Sequence, residues 1–326
     1  MPSSTCKFHV LAPFTWIQLL VHPPLVVLAA GLSTRYGRLK QLAPLGPGGE
    51  AIMDFNVLDA ARAGFGSVTY VVRPSILDDV RNHVKAMIGN TFPTNYVCQE
   101  LDNLPEGFRA PPDRIKPWGT THAVLCAAAE VNRPFGVCNA DDLYGPGAFR
   151  LLYEQLVRDP PQAEATLVGY KLEKTLSRAG GVARGICVLA KGDELERVTE
   201  VQNITLSDGW ITGRTTDGSP VELTGQEMAS MNLWGFTAPV IELMNRQFTR
   251  FLEYWGSDTQ EECFLSTSVN AQIEIEATLV RVVQAPDTWL GITHAADRKE
   301  SEAILRERVS SGAYPRRLAD ALACLR

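Results

Sequence analysis

The sequence is poor in the features that mark several large protein classes. Its seven cysteines, Cys6, Cys98, Cys126, Cys138, Cys187, Cys263 and Cys324, form no C-x-x-C pair. An odd, scattered set of thiols argues against a disulfide framework or a zinc site. It fits a reducing, cytoplasmic setting in which each Cys packs as a small hydrophobe. No apolar run is long enough to span a bilayer, and the stretch 14–21 is too short to do so. That stretch also lacks a basic segment before it and a small-residue cleavage site, so it does not read as a signal peptide. Residues 1–24 form an N-terminal extension, open to reading as an edge strand, a packing arm or a disordered tail. Cations are not in excess: 31 Lys and Arg against 37 Asp and Glu give a net charge of -6. That balance argues against a nucleic-acid partner, while local basic clusters would suit a small anionic substrate. Neither G-x-x-x-x-G-K-[ST] nor G-x-G-x-x-G occurs, and there is no repeat or low-complexity segment.

What is present is a globular chain of 326 residues with 45% hydrophobic and 21% charged content, enough for a substantial core. Residues 25–30 (LVVLAA) are a continuous apolar run, the pattern of a strand buried on both faces of a sheet. At Gly31 the pattern stops. Ala30, Gly31, Leu32, Ser33 and Thr34 lead into Arg35 and Lys40, a small-residue turn followed by a guanidinium fork and a point charge. Free backbone N–H groups beside two cations are the means by which a loop holds phosphate.

Downstream, Ile52, Phe55, Leu58 and residues 61–63 recur at helical spacing and stop at Gly64. Residues 67–72 read as a second buried strand, 76–88 as a helix, and 95–99 as a short strand. Residues 101–117 form a long Pro-, Asp- and Gly-rich loop, a type that is usually functional. Thr120 or Thr121 is the expected N-cap of a helix running through Glu130. Residues 135–139 are the fourth strand and run straight into Asp141 and Asp142. Strands alternating with helices imply βαβ units in a doubly wound, mainly parallel sheet. The second half differs: strands at 165–170, 185–189 and 194–201, a polar hairpin over 205–222 and a strand at 230–236. A long helix follows at about 240–255, then a strand at 279–284 and a terminal helix at 297–310.

In a doubly wound sheet, ligands bind outside the carboxyl ends of the strands. The Gly31–Lys40 loop ends the first strand and the Asp141–Asp142 pair ends the fourth. A cationic loop facing carboxylates is the layout that holds a nucleoside triphosphate with its Mg²⁺, which takes one or two carboxylates and fills its shell with phosphate and water. Neighbouring residues on an extended chain point to opposite faces, so one aspartate is the primary ligand. His122 reads as a solvent-facing residue of a helix's first turn, and His294 stays open. Trp118, Trp234 and Trp289 read as packing residues.

Three segments taken together, residues 28–40, residues 119–123 (GTTHA) and residues 139–142 (NADD), resemble the nucleotidyltransferases that make NDP-sugars. Phosphocholine cytidylyltransferases and MobA-like enzymes are relatives of that group. The resemblance covers about residues 25–300. It implies a single Rossmann-like α/β domain, a mixed, mainly parallel sheet flanked by helices, with a β-rich acceptor-side insertion. The boundaries it suggests are a nucleotide half at about 25–150, an acceptor half at about 151–296 and a helical segment at 297–326. It implies a Mg²⁺-dependent reaction in which NTP and a sugar 1-phosphate give an NDP-sugar and pyrophosphate, by direct attack on the α-phosphorus. Arg35, Lys40 and Asp141 match the catalytic positions, with Asp141 the metal ligand. Ala30, Gly31, Leu32, Ser33 and Thr34 match the triphosphate loop, and Gln99, Gly119 and Thr120 the base reader, with uracil or thymine suggested by the likeness of residues 118–123.

The match changes in the acceptor half. Asp142, Gly181, Arg184, Glu200 and Asn232 are the acceptor candidates. Val201 stands where the resemblance expects a lysine on the acceptor phosphate, and Arg184 is the candidate replacement. Residues 289–294 resemble a late Trp-x-Asp motif, but Gly291 takes the Asp place, which leaves Asp287 or Asp297 as the second metal ligand. Asp297 also reads as a helix N-cap. These departures favour two alternatives. One is transfer to a non-sugar phosphate or phosphonate, and the other is a non-catalytic nucleotide-binding homologue. Homo-oligomerisation is left open.

Overall fold

In a computed structural model the described residues are 22–31, 34–35, 38–131, 133–158, 164–275, 277–291 and 297–325, with backbone alone described at 34, 35 and 38. The first half alternates strand and helix: β1 (Pro24–Leu28), α1 (Ile52–Ala63), β2 (Ser67–Val72), α2 (Leu77–Met87), β3 (Thr94–Cys98), α3 (Thr120–Ala128), β4 (Phe135–Asn139) and α4 (Pro146–Leu156). The second half is strand-rich: β5 (Glu164–Lys171), β6 (Val182–Leu189), β7 (Leu195–Ser207), β8 (Trp210–Thr215), β9 (Pro220–Leu223) and β10 (Met228–Phe236). It closes with α5 (Ala238–Trp255), α6 (Leu265–Glu274), β11 (Leu279–Gln284), α7 (Asp297–Ser310) and α8 (Leu318–Ala323).

All eleven strands belong to one sheet, ordered β9-β8-β7-β6-β10-β4-β1-β2-β3, with β5 paired to β10 and β11. β1 runs parallel to both β2 and β4, and β2 parallel to β3. Alternation divides each central strand between two cores. Leu25 and Val27 pack with α1, α4 and α8, while Val26 packs with α3, α5 and α6 on the other face. The doubly wound arrangement is as expected, but the sheet is mixed rather than mainly parallel, because the strand-rich second half adds antiparallel pairings that outnumber the parallel ones.

β10 is where the two halves meet, and it forks. Its end, Trp234–Phe236, pairs antiparallel with β4, whereas its start, Met228–Ser230, pairs on the same side with β6. Along its other edge β5 pairs with both parts, and the register slips between Ser230 and Trp234. At the fork Asn232 adopts φ 58°, a left-handed conformation that Asn tolerates better than most residues. β4 and β6 diverge there and open a crevice at the sheet's edge. A separate core of Leu172, Val182, Ile186, Val201, Ile204, Ile211 and Ala229 supports the antiparallel part.

Several boundaries differ from expectation. The N-cap of α3 is Gly119, at φ 99°, and Thr120 is its first helical residue. A Cβ at Gly119 would lie 2.5 Å from the Cys263 carbonyl oxygen, so a close backbone crossing excludes a side chain. The strand expected over 194–201 extends to Ser207, because the hairpin turns at Asp208 and Gly209 rather than earlier. Helices α4, α6 and α8 were not anticipated. No described helix is long and apolar enough to cross a membrane. The described cysteines, Cys98, Cys126, Cys138, Cys187, Cys263 and Cys324, are free thiols. The apolar stretch 14–21 lies outside the described residues.

Candidate active site

The crevice at the fork is a cavity of about 260 Å³ lined from both halves of the chain. Lys40 follows the loop after β1, Asn139 ends β4 and Asp142 follows it; Arg184, Glu200 and Asn232 come from β6, β7 and β10. Lys40 starts a single helical turn after the first loop, and its Nζ donates to the carboxylate of Asp141. Both side chains keep some solvent access, 17% and 31% respectively, so the pair can open to a charged ligand.

Asp142 is held from several sides. Asn139 Nδ2 donates to its carboxylate at 2.8 Å, and Asn56 Nδ2 donates to its backbone carbonyl at 2.7 Å. The Asn56 side-chain oxygen in turn accepts from Tyr144 N at 3.4 Å. The Tyr144 hydroxyl accepts from Asn139 N and donates to the Met231 carbonyl, which ties this loop to the fork in β10. Burial raises the Asp142 carboxyl to about 7, and the neighbouring Asp141 charge adds to the rise. Asn139, Arg184 and Lys40 oppose it.

Arg184, which β6 carries, is buried. Its Nη1 donates to Ala183 O at 2.8 Å and its Nη2 to Thr175 O at 2.5 Å, and its guanidinium lies 4.8 Å from the centre of the Trp289 ring. Val201, at the expected lysine place, is buried in the core of the antiparallel part. Glu200 is half-buried and accepts from Ser266 Oγ at 3.1 Å. Gly181 does not line the cavity: its α-carbon faces Asn203 and Thr205 of β7.

The loop after β1 is supported by a residue the sequence did not single out. Gln41 Nε2 donates to the carbonyls of Ala29 (3.0 Å) and Gly31 (2.9 Å). Arg73, at the end of β2, donates to the same Gly31 oxygen at 3.5 Å. Ala30 is buried and Gly31 exposed. Leu32 and Ser33 lie outside the described residues. Thr34 and Arg35 are described as backbone alone, in a two-residue pairing with Arg38 and Leu39.

The Gln99 and Gly119 candidates meet. Gln99 is buried, and its Nε2 donates to Gly119 O at 3.0 Å. His122 is not on the surface as expected but buried beside Gln99. Its Nε2 bonds Asn103 O at 2.7 Å, so that nitrogen carries the proton, and Nδ1 faces Gln99 Nε2 at 3.3 Å. Its ring stacks on Phe248 at 5.0 Å, and burial pushes its pKa down, which keeps it neutral. Thr120 Oγ1 accepts from Leu265 N at the start of α6, an anchoring contact. Trp118 is fully buried and donates to Leu101 O, as a packing residue should.

Neither proposed substitute for the missing late Asp joins Asp141. Asp287 accepts from Ala148 N at 2.7 Å and so caps α4 from a distant segment. Asp297 accepts from Ser177 Oγ at 2.8 Å on the far side of Trp289. Gly291 explains the departure. It pairs with Asp142 across a short antiparallel bridge, and a Cβ on it would lie 2.7 Å from Asp142 Oδ1 and 2.2 Å from the Trp289 ring. A side chain at 291 would collide with the Asp142 carboxylate, which already fills that space. His294 lies outside the described residues.

A Gly-containing loop after β1 and two adjacent carboxylates after β4, with an antiparallel platform across a forked strand, sit on one α/β fold. Solved structures of similar fold include two described as nucleotidyltransferases. One is the inositol-1-phosphate CTP transferase from T. maritima, at 13% identity and TM-score 0.58, covering 87% of this chain and 96% of that one. Another is a Bacillus anthracis protein assigned as a glucose-1-phosphate thymidylyltransferase, solved with sucrose, at 12% identity and TM-score 0.57, covering 87% and 95%. No protein-family model and no curated protein sequence matches the chain.

Proposed function

We infer that the protein transfers a nucleotidyl group from an NTP to a small phosphorylated acceptor, a sugar 1-phosphate or polyol phosphate, with release of pyrophosphate. The observation that carries this reading is the Lys40–Asp141 pair at the strand ends, beside a cavity completed by Arg184, Glu200 and Asn232 from the other half.

In this reading an oxygen of the acceptor phosphate attacks the α-phosphorus, the bond to the β-phosphate oxygen breaks, and pyrophosphate leaves with that electron pair. No protein nucleophile is needed, so catalysis is positioning and charge neutralisation. Lys40 exchanges its carboxylate partner for phosphate oxygens, and Arg35 neutralises the departing pyrophosphate. Arg184 holds the acceptor phosphate in place of the lysine absent at 201, while Glu200 and Asn232 bind acceptor hydroxyls. Gln99 and the Gly119 backbone read the base.

The donor set suits Mg²⁺: two adjacent carboxylates, one with its carboxyl raised by burial and further by its neighbour's charge, are what a divalent cation relieves. Among the described residues no cluster of three or more His, Cys, Asp or Glu occurs, but Mg²⁺ needs only one or two protein ligands when a triphosphate supplies the rest. Asp141 would hold it, with Asp142 second; when bound, it neutralises charge on the triphosphate.

The buried Val201 favours one alternative, transfer to a non-sugar phosphate or phosphonate, because the acceptor grip rests on Arg184 instead. Pyrophosphate release measured with each NTP against sugar 1-phosphates, inositol phosphate and phosphocholine tests both. Turnover with a sugar or polyol phosphate is expected. Turnover with phosphocholine alone supports the alternative, and Mg²⁺-dependent NTP binding without turnover contradicts both.

A further inference from the structure

Behind the acceptor cavity lies a second one of about 170 Å³. It is far larger than the roughly 10–15 Å³ a single water needs. Thr175, Ser177 and Arg178 line it on one side, Trp289 and Gly291 on another, and one face of α7 on the third through Asp297, Glu300, Ser301 and Ile304. Arg184 and Trp289 line both cavities and separate them.

Three residues that line this space each carry a buried polar atom with no hydrogen-bond partner: Arg184 Nε, Trp289 Nε1 and Ser301 Oγ. Their residues are 7%, 8% and 0% exposed. Arg Nε and Trp Nε1 can only donate, and a serine hydroxyl can donate as well. Buried donors left unpaired are costly, so three around one cavity point to an acceptor-rich occupant. Lys174, Arg178 and Arg184 outnumber the carboxylates of Asp297 and Glu300 in the lining by one.

We propose that this second cavity is an oxyanion site, in which Arg184 Nε, Trp289 Nε1 and Ser301 Oγ donate to a phosphate, phosphonate or carboxylate group. The group has two available sources: a second anionic group of the acceptor reaching past Arg184 and Trp289, or a free small anion. Bound there, it fixes the Arg184 guanidinium that also faces the reaction cavity. This rests on the donors themselves and holds whether or not the chain transfers nucleotides.

Inorganic phosphate titrated calorimetrically into the full-length Lys40→Ala protein tests it, since that change removes the cation of the neighbouring cavity. Saturable binding is expected. It weakens at least about fivefold in Ser301→Ala, the effect of one lost hydrogen bond, and disappears in Ser301→Leu, which fills the space. Ser301 does not line the reaction cavity, and melting curves check that both variants fold. A tungstate soak should give an anomalous peak between Arg184, Trp289 and Ser301. No saturable binding, an affinity unchanged in both Ser301 variants, or a peak only beside Lys40 overturns the proposal. Turnover separates the sources. A KM raised by Ser301→Ala only for acceptors with two anionic groups assigns the anion to the acceptor. A rate response to phosphate that Ser301→Leu abolishes assigns it to a free ion. The calorimetry needs no turnover, so failure of the transferase reading leaves it decidable.

Discussion

At the scale of single residues, the proposed reaction gives the Lys40–Asp141 pair two roles, one at rest and one with substrate bound. Half-exposed ion pairs add little stability, about 0–1 kcal/mol, but the same charges in a closed site act strongly on a developing anion. Asp141→Asn is therefore expected to lower kcat at least about a hundredfold while leaving the melting temperature within about 2 °C, checked by pyrophosphate release and calorimetry. Gly291 makes the opposite kind of prediction. Restoring the aspartate that the resemblance expects there, as Gly291→Asp, places a Cβ against Trp289 and the Asp142 carboxylate. The expected result is a loss of about 1–3 kcal/mol in denaturant unfolding and reduced turnover, not a better metal site. The missing late Asp is thus legible in the sequence as an absence, but its cause, Asp142 in the same space, is a three-dimensional fact.

Elements position the site through contacts that sequence periodicity does not reveal. α1 was evident from its apolar spacing and its Gly64 stop, yet its polar residues carry the tertiary work. Asn56 clamps the Asp142 backbone, and Asp59 accepts from the Tyr314 hydroxyl at 2.7 Å, fastening the C-terminal segment before α8. Asn56→Ala should cut kcat about tenfold or more by loosening that loop, with NTP affinity much less affected; a kcat and KM measurement separates the two. Burial raises the Asp59 carboxyl to about 7, against 3.8 ordinarily. Between those values the folded protein keeps a proton that the unfolded chain has released, so this group's contribution to stability falls as pH rises from about 4 to 7. Asp59→Asn keeps the acceptor and removes the titration. Its gain in melting temperature over the parent should be larger at pH 8 than at pH 5, by about 2 °C or more. Helix α6 has no start signal of its own in the sequence, because Thr120 and Thr121 fix its first turn instead of a local cap.

For the molecule as a whole, the architecture follows from the strand and helix alternation of the first half, which residues 25–30, 67–72 and 135–139 made plain. The loop at Gly31 and the aspartates after β4 could be placed at one sheet edge because parallel strands end together. The fork in β10 could not be anticipated. It depends on one strand changing partners around Asn232, a tertiary choice with only an Asn to mark it. The fork also makes Arg184, which local sequence leaves as readily on the surface, a buried wall of the site. The central claim is that the two halves divide the labour, nucleotide on the β1–β4 side and acceptor on the β6–β10 side. Steady-state pyrophosphate release by Arg184→Ala, with NTP and acceptor varied in turn, tests it most directly. The expected result is an acceptor KM raised at least about tenfold with the NTP KM within about twofold of the parent. Equal changes in both, or a change confined to the NTP, would contradict it.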